Sequence, residues 1–273
     1  MSFNSREHSL AAGAPIRLYE FKRGVLRWLY NSSDRDITHN TQIFRGLVGG
    51  IRDDGIRQTG QASADALSIS APASLEVAQL YRGVPPSNTI DLVIYDMHHG
   101  DPEVLVSWIG EIASVNWPKL DRCTIKATPF DASLDQPGLR MTWQRGCPHA
   151  IYTPPCGVDR NAYKVSAVVQ SMTGTAISSG TFAAYPDGWF AGGYIEWPIG
   201  AGEFDRRAIE SHVGQVLTLL SGTARIVPGQ GVTAYPGCGQ VVQICKTKFN
   251  NLNNNGGYPH LSGRSPFDGN PVF

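Results

Sequence analysis

Residues 16–21 read IRLYEF and residues 25–30 read VLRWLY, two β-type runs joined by Lys22-Arg23-Gly24. Short apolar and aromatic runs either side of a glycine-bearing connection of hairpin length specify antiparallel strands. The same pattern continues outward through residues 43–48, 51–57 and 67–70. Residues 90–96 (IDLVIYD) and 104–115 (VLVSWIGEIASV) predict a strand pair around His98-His99-Gly100-Asp101. Residues 122–128 (RCTIKAT) alternate cleanly, which sets Cys123 on one face with Ile125 and Ala127. Residues 74–82 (SLEVAQLYR) are the exception and predict a helix, with Ser74 as its cap and Leu75, Ala78, Gln79 and Arg82 at helical spacing.

The composition agrees with a mainly β chain. In 273 residues there are 30 glycines and 18 prolines, more than the average joint share of about 12%. Turn-formers at that density favour many short strands over long helices. Hydrophobic residues make up 41% and charged residues only 17%, which excludes a disordered, highly charged chain. Lys+Arg and Asp+Glu both number 23, so the basic surplus that drives sequence-independent DNA binding is missing. A neutral, weakly charged surface favours association, as in a component of an assembly. The opening MSFNSREHSLAAGAP has no apolar core and does not read as a secretory signal. No run of about 18 uncharged apolar residues predicts a membrane span. The expectation is a soluble protein made in a cytoplasm.

Residues 131–140 (DASLDQPGLR) are polar and contain Pro and Gly, and they mark the candidate boundary. Beyond them, residues 163–170, 189–197, 207–212 and 215–220 still read as strands, now punctuated by Gly, Pro and Cys. Residues 250–273 are rich in Asn, Gly and Pro with scattered aromatics, a segment expected to wrap over a surface.

Five cysteines are present: Cys123, Cys147, Cys156, Cys238 and Cys245. Cys123 lies inside an alternating strand and reads as a small buried hydrophobe. The other four form two local pairs embedded in Gly146-Cys147-Pro148, Pro155-Cys156-Gly157 and Pro236-Gly237-Cys238-Gly239. Four readings stand side by side. Disulfides belong to oxidising compartments, although an assembled particle can oxidise later. Four unrelated free thiols need no further explanation. A structural zinc site prefers knuckles tighter than these. A four-thiolate iron–sulfur cluster is larger than one ion and tolerates looser loops, and glycine leaves N–H groups free to bond its sulfurs. Sulfur ligation by itself does not separate zinc from iron–sulfur.

These residues carry a resemblance. The chain resembles the tail-tip, or baseplate hub, proteins of tailed phages and gene transfer agents, a family that includes the iron–sulfur minor tail protein L of phage lambda. Cys147, Cys156, Cys238 and Cys245 match that family's four cluster ligands one by one. Tyr19-Glu20-Phe21 and Asp34-Arg35-Asp36-Ile37 are similar to its opening strands. Gly138-Leu139-Arg140 before Cys147-Pro148-His149, Pro236-Gly237-Cys238, Lys248-Phe249-Asn250-Asn251 and the closing stretch 253–267 extend the likeness over most of the chain. Two positions depart from the family pattern: Gly239 stands where an acidic residue is usual, and Asn255 where an aromatic is common.

Other constellations read blandly. His98-His99-Gly100-Asp101 and Asp53-Asp54-Gly55 are turn signals, the former expected to be exposed. Glu196, Glu203, Asp205 and Glu210 are expected to scatter over different strand faces. Trp189, Phe190, Tyr194 and Trp197 read as core or subunit interface, with a carbohydrate platform as the sharper alternative. Arg17, Lys22, Arg23 and Arg27 suit either a DNA-conducting lumen or solvated strand edges. No nucleophile elbow, zinc-protease motif or phosphate-binding loop occurs.

The expected architecture is mainly β: an N-terminal barrel- or sandwich-like, ring-forming hub domain over residues 1–138, then a β-rich, loop-rich four-cysteine domain over residues 139–273. The resemblance implies a structural, non-enzymatic virion component at the tail tip, assembled in the bacterial host cytoplasm. It implies a [4Fe-4S] cluster on Cys147, Cys156, Cys238 and Cys245, with zinc as the alternative metal. The implied partners are two further copies in a homotrimer, the distal tail protein ring, the central hub or host-recognition protein and a tape measure protein. The genome passes through the lumen without sequence-specific contact. The rival functions are an iron–sulfur oxidoreductase, a tail-associated cell-wall hydrolase and a zinc-stapled binding module.

Overall fold

The computed structural model describes residues 3–9, 13–57, 59–60, 65–133 and 143–261. The protein is mainly β, as the sequence predicts. It divides into two compact units: Met1–Gln136 with Ile199–Asp205, and Pro137–Pro198 with Arg206–Phe273. Most of the polar stretch 131–140 lies outside the described residues.

In the first unit the opening hairpin forms as β1 (Pro15–Arg23) and β2 (Leu26–Asn31). Arg23 pairs with Leu26 across a two-residue turn. Gly24 takes a left-handed φ of 57° there, a conformation that glycine adopts at no steric cost. The remaining strands are β3 (Ile37–His39), β4 (Gln42–Gly46), β5 (Arg52–Asp53), β6 (Leu67–Pro72), β7 (Asp91–His98), β8 (Val104–Asn116) and β9 (Arg122–Pro129). They form one sheet in the order β3-β4-β2-β1-β7-β8-β9-β6-β5. Register shifts between Ile94 and Tyr95 on β7 and between Ile112 and Ser114 on β8 interrupt the pairing; bulges of this kind bend a strand and increase its twist.

Both faces of β1 are covered. Tyr19 and Phe21 join the main core with Ile69, Leu92, Ile94, Ile112 and Ile125. Ile16 and Leu18 point the other way, into a smaller cluster with Phe44 and Met97. Cys123, Ile125 and Ala127 all face inward, opposite Ala71, Ile69 and Leu67, as the alternation predicts. The Cys123 thiol donates to the Pro72 carbonyl at 3.3 Å, and burial pushes it up.

Several expectations change. The helix is one turn, α2 (Glu76–Gln79), with Leu75 rather than Ser74 at its N-cap and no side-chain cap bond. Its closing bonds run Leu80 to Val77, Tyr81 to Ala78 and Arg82 to Gln79. These are three-residue spacings, so the chain tightens and the α-helix does not propagate. Leu75, Val77 and Ala78 are buried in the main core.

Of the basic residues read as lumen-facing or on solvated edges, Arg17, Lys22 and Arg27 are partly exposed and partnered, and Arg23 is buried. Asp53 accepts from Arg17 and from the Tyr19 hydroxyl at 2.7 Å, and from the Gly55 N–H at 2.9 Å. Its side chain is almost wholly buried. Arg27 and Lys22 pair with buried Glu20, and Arg23 is buried against Asp205. His98 is buried rather than exposed in a turn. Its Nδ1 accepts from the Ala14 N–H at 3.1 Å and its Nε2 lies 3.0 Å from Glu7 on α1 (Phe3–Glu7). Asp101 is likewise buried and faces Arg6.

The Asp53 arrangement gives a prediction. Burial raises this carboxyl, but the bonds from Arg17, Tyr19 and Gly55 outweigh it and hold the group below its ordinary 3.8. A lowered carboxyl stabilises the fold above the unfolded pKa and loses that contribution as pH falls through the folded value. Asp53→Asn is expected to cost about 1–3 kcal/mol near neutrality. It should also flatten the loss of stability below about pH 4, read by urea unfolding at several pH values.

In the second unit the strands are β10 (Val165–Val168), β11 (Ser171–Thr173), β12 (Ala176–Ser178), β13 (Tyr194–Gly200), β14 (Glu203–Val213), β15 (Val216–Leu219) and β16 (Gly231–Tyr235). Their sheet order is β10-β16-β13-β14-β15-β12-β11, with the ends of β13 and β14, Ile199–Asp205, belonging to the first unit. Phe182, Phe190, Ile195, Trp197, Ile209 and Leu217 are buried. Trp189 lies in a turn before β13 rather than on a strand. Trp197 and Phe190 are core, as expected, while Trp189 and Tyr194 are only partly covered. Glu196 is buried and accepts from the Tyr235 hydroxyl at 2.7 Å.

Candidate functional site

Four kinds of local structure deliver Cys147, Cys156, Cys238 and Cys245. Cys147 sits on an irregular stretch fixed by its N–H to the Gln240 carbonyl at 2.7 Å. Cys156 closes a turn through its N–H to Thr153 at 3.0 Å. Cys238 follows β16 without regular structure, and Cys245 lies within α4 (Val242–Thr247), the fourth helix after α3 (Arg160–Tyr163). Cys147, Cys156 and Cys245 are buried and Cys238 is half-buried; all are free thiols.

Hydrogen bonds tie their segments together: Cys147 N–H reaches Gln240, two residues after Cys238, and Asn251 bonds both Cys156 and Cys245. The Cys238 thiol is pushed up first by burial and then by the charges of Cys245, Cys156 and Cys147, against a lowering by the Gln240 N–H. Each sulfur also meets a polar neighbour. Gln240 N–H points at Cys238 Sγ at 3.4 Å, and Gly256 N–H at Cys147 Sγ at 3.4 Å. The Asn251 amide lies 3.9 Å from Cys156 Sγ and donates to the Cys156 carbonyl at 2.6 Å. Cys245 Sγ donates to the Asn251 carbonyl at 3.0 Å. Backbone and amide N–H groups aimed at sulfur stabilise thiolate character and tune a bound centre. Among the described residues, no group of three or more His, Cys, Asp or Glu side chains is placed to hold a single metal ion.

The backbone beneath Cys238 needs glycine. A Cβ on Gly237 would stand 1.9 Å from the Ala191 carbonyl oxygen and 2.3 Å from Gly193 N. A Cβ on Gly193 would stand 2.0 Å from the Tyr235 oxygen. Tyr152 braces the same region: its hydroxyl donates to Pro236 O at 2.7 Å and its ring meets Tyr194, Tyr235 and Phe249 edge-on. Burial pushes the Tyr152 hydroxyl far up, so it remains a donor.

Residues 188–265 match the family described as Phage conserved hypothetical protein BR0599. A chain of the solved virion of a native gene transfer agent (GTA) particle superposes with a TM-score of 0.79. The fold is that of a virion chain. The two are 18% identical, and the match covers 99% of this chain and 96% of the other. The likeness to phage and gene transfer agent chains read from the cysteine pattern is thus met in fold and in the C-terminal segment. A curated relative from Xylella fastidiosa (strain 9a5c), described as an uncharacterized protein, is 26% identical over 189 residues. That match takes in 63% of this chain and 38% of the relative, so it spans well under half the length of that protein. No helix among the described residues is long and apolar enough to cross a membrane.

Sequence reasoning picked out the four sulfurs but assigned no role to Asn251, Gly256, Gly237 or Lys248. The Lys248-Phe249-Asn250-Asn251 motif and the Pro236-Gly237-Cys238 run were visible as text; their contacts with distant segments were not. His98 and Asp101 lie in the first unit, and among the described residues they join no metal-ligating cluster. Of the segment 250–273, expected to wrap a surface, residues 262–273 lie outside the described residues, while Asn251 and Gly256 lie against Cys156 and Cys147.

Proposed function

We propose that this chain is a structural component of a tailed-phage-type tail tip, a baseplate hub protein that builds a trimeric ring and holds a [4Fe-4S] cluster on Cys147, Cys156, Cys238 and Cys245. The observation that carries it is the set of hydrogen bonds that ties four buried or half-buried cysteines from separate segments to one another through Gln240 and Asn251, in a chain with a virion chain's fold. The donor set suits the group: four sulfurs, with N–H groups at Cys147 and Cys238. Such a cluster, when bound, supplies ligation free energy to the fold. The chain's own residues do the rest. α4, the Gly237 crossing, the Asn251 bonds and the Cys147 N–H to Gln240 would position the four sulfurs. The ring would link the distal tail ring to the central host-recognition protein, with the genome passing through its lumen and a tape measure protein nearby.

The test is the visible spectrum of protein purified without oxygen, with iron, sulfide and zinc assayed on the same sample and the particle mass measured. Brown protein with about four iron and four sulfide per chain, in a trimer, is the expected result. One zinc in colourless protein would replace the cluster by a zinc-stapled binding module. Turnover of a redox substrate or clearing of cell wall would favour the enzyme readings. Metal-free monomers would overturn both the cofactor and the ring.

A further inference from the structure

Lys248 follows α4 three residues after Cys245 and is held more tightly than a lysine on such a short helix requires. Its Nζ donates to the carbonyl of Trp189 and, at 2.8 Å, to that of Gly237, the residue before Cys238. The same ammonium stands 4.6 Å from the Trp189 ring centroid and 5.3 Å from that of Phe249. Carbonyl oxygens and aromatic faces all present partial negative charge, so the cage selects a cation. Among the described residues no carboxylate forms an ion pair with it; the ionisable neighbour that acts on it is Cys238, next in the chain to the Gly237 whose carbonyl it takes. Burial pulls the amine down to about 8, while Cys238 raises it. A half-buried ammonium is costly to desolvate, and this one is met by carbonyls and aromatic rings beside Cys238.

We propose that Lys248 is the fixed counter-cation of the four-cysteine site, placed beside Cys238 to offset the negative charge of a four-thiolate cluster and so make the cluster easier to reduce. This rests on the cluster reading above. A cluster ligated by four thiolates is an anion, and its potential follows the net charge and hydrogen bonding around it. The cage fixes the ammonium within a low-polarity wall, where a charge acts more strongly than on a solvated side chain. A merely structural role, strapping the Trp189 and Gly237 carbonyls together, would need the donors and not the charge.

The experiment compares wild type with Lys248→Met, Lys248→Gln and Lys248→Arg. Iron and sulfide per chain are assayed, and the midpoint potential is read by a titration followed by electron paramagnetic resonance. The expected result is full iron in Lys248→Arg with a potential near wild type, and a shift to more negative potential in the neutral variants. Loss of iron from both neutral variants with retention in Lys248→Arg supports the assignment equally, since charge then decides loading. Neutral variants with full iron and an unshifted potential overturn it. So does loss of iron from Lys248→Met and Lys248→Arg with retention in Lys248→Gln, or loss from all three, because geometry and not charge is then what matters. Wild-type protein that carries no iron or sulfide overturns the cluster reading, and this assignment falls with it.

Discussion

Gly237→Ala dismantles the four-cysteine site with every sulfur still in the chain. The added Cβ would sit 1.9 Å from the Ala191 oxygen, 2.3 Å from Gly192 C and 2.3 Å from Gly193 N. All three are backbone atoms, so no rotamer change clears the overlap. The facing residue has no room either, since a Cβ on Gly193 meets Tyr235 O at 2.0 Å and Gly237 N at 2.7 Å. The two chain segments must therefore separate, and Gly237 O then leaves Lys248 while Cys238 leaves its neighbours. Overpacking costs about 1–3 kcal/mol and occasionally more, and a clash confined to backbone belongs at the upper end. Native-state alkylation should label Cys147, Cys156 and Cys245 quickly in the variant and slowly in wild type, and the urea midpoint should fall. Gly193→Ala should behave alike. Gly231→Ala, whose Cβ meets nothing within 4 Å, is the control. Wild-type labelling and stability in Gly237→Ala would mean that the close crossing does not hold the site together.

That crossing also shows where sequence reading stops. Cysteine is chemically distinctive, so Cys147, Cys156, Cys238 and Cys245 stand out by residue type and by the turn-formers around them. What surrounds the sulfurs is set by contacts of long sequence separation. The Gly256 N–H reaches Cys147 across 109 positions and the Asn251 amide reaches Cys156 across 95. Glycine and asparagine in an irregular tail look the same in the sequence whether they face solvent or a sulfur. Lys248 looks like a surface lysine until Trp189 and Gly237 are seen to fold over it.

The first unit divides the same way. Period-two alternation placed β1, β7, β8, β9 and the inward face of Cys123, because strand burial is a local property that the side-chain period reports. Arg23, His98 and Asp101 are buried where the sequence suggested exposure, because charge predicts exposure only when no partner is available. Asp53 in a turn-like Asp-Asp-Gly receives Arg17 and Tyr19, and His98 receives the Ala14 N–H and stands against Glu7. The helix expected over residues 74–82 shrank to four residues because from Leu80 to Arg82 the bonds tighten to three-residue spacing, although Leu80 and Tyr81 also pack against the core.

Asp205→Ala should be the most destabilising single change in the first unit. Asp205 Oδ1 accepts from Arg23 Nη2 at 3.0 Å and from the Ser87 N–H at 2.9 Å. The side chains of the pair are 2% and 1% exposed. Removing the carboxylate leaves a guanidinium, which does not give up its proton, out of water beside a backbone N–H that has lost this acceptor. Breaking one side of a buried pair costs about 3–5 kcal/mol, far more than the net worth of the intact pair. The same reasoning predicts that Arg23→Met with Asp205→Leu, which removes both charges together, recovers much of the loss. The loss is local in origin: β1 ends at Arg23, and β7 and β2 flank β1 in the sheet. Amide exchange read by mass spectrometry should therefore accelerate in β1, β2 and β7 in Asp205→Ala, and return toward wild type in the double variant. Protection in β1 unchanged by Asp205→Ala would show that solvent already reaches Arg23. A double variant no better than the single would show that packing around residue 205, and not its charge, holds the end of β1.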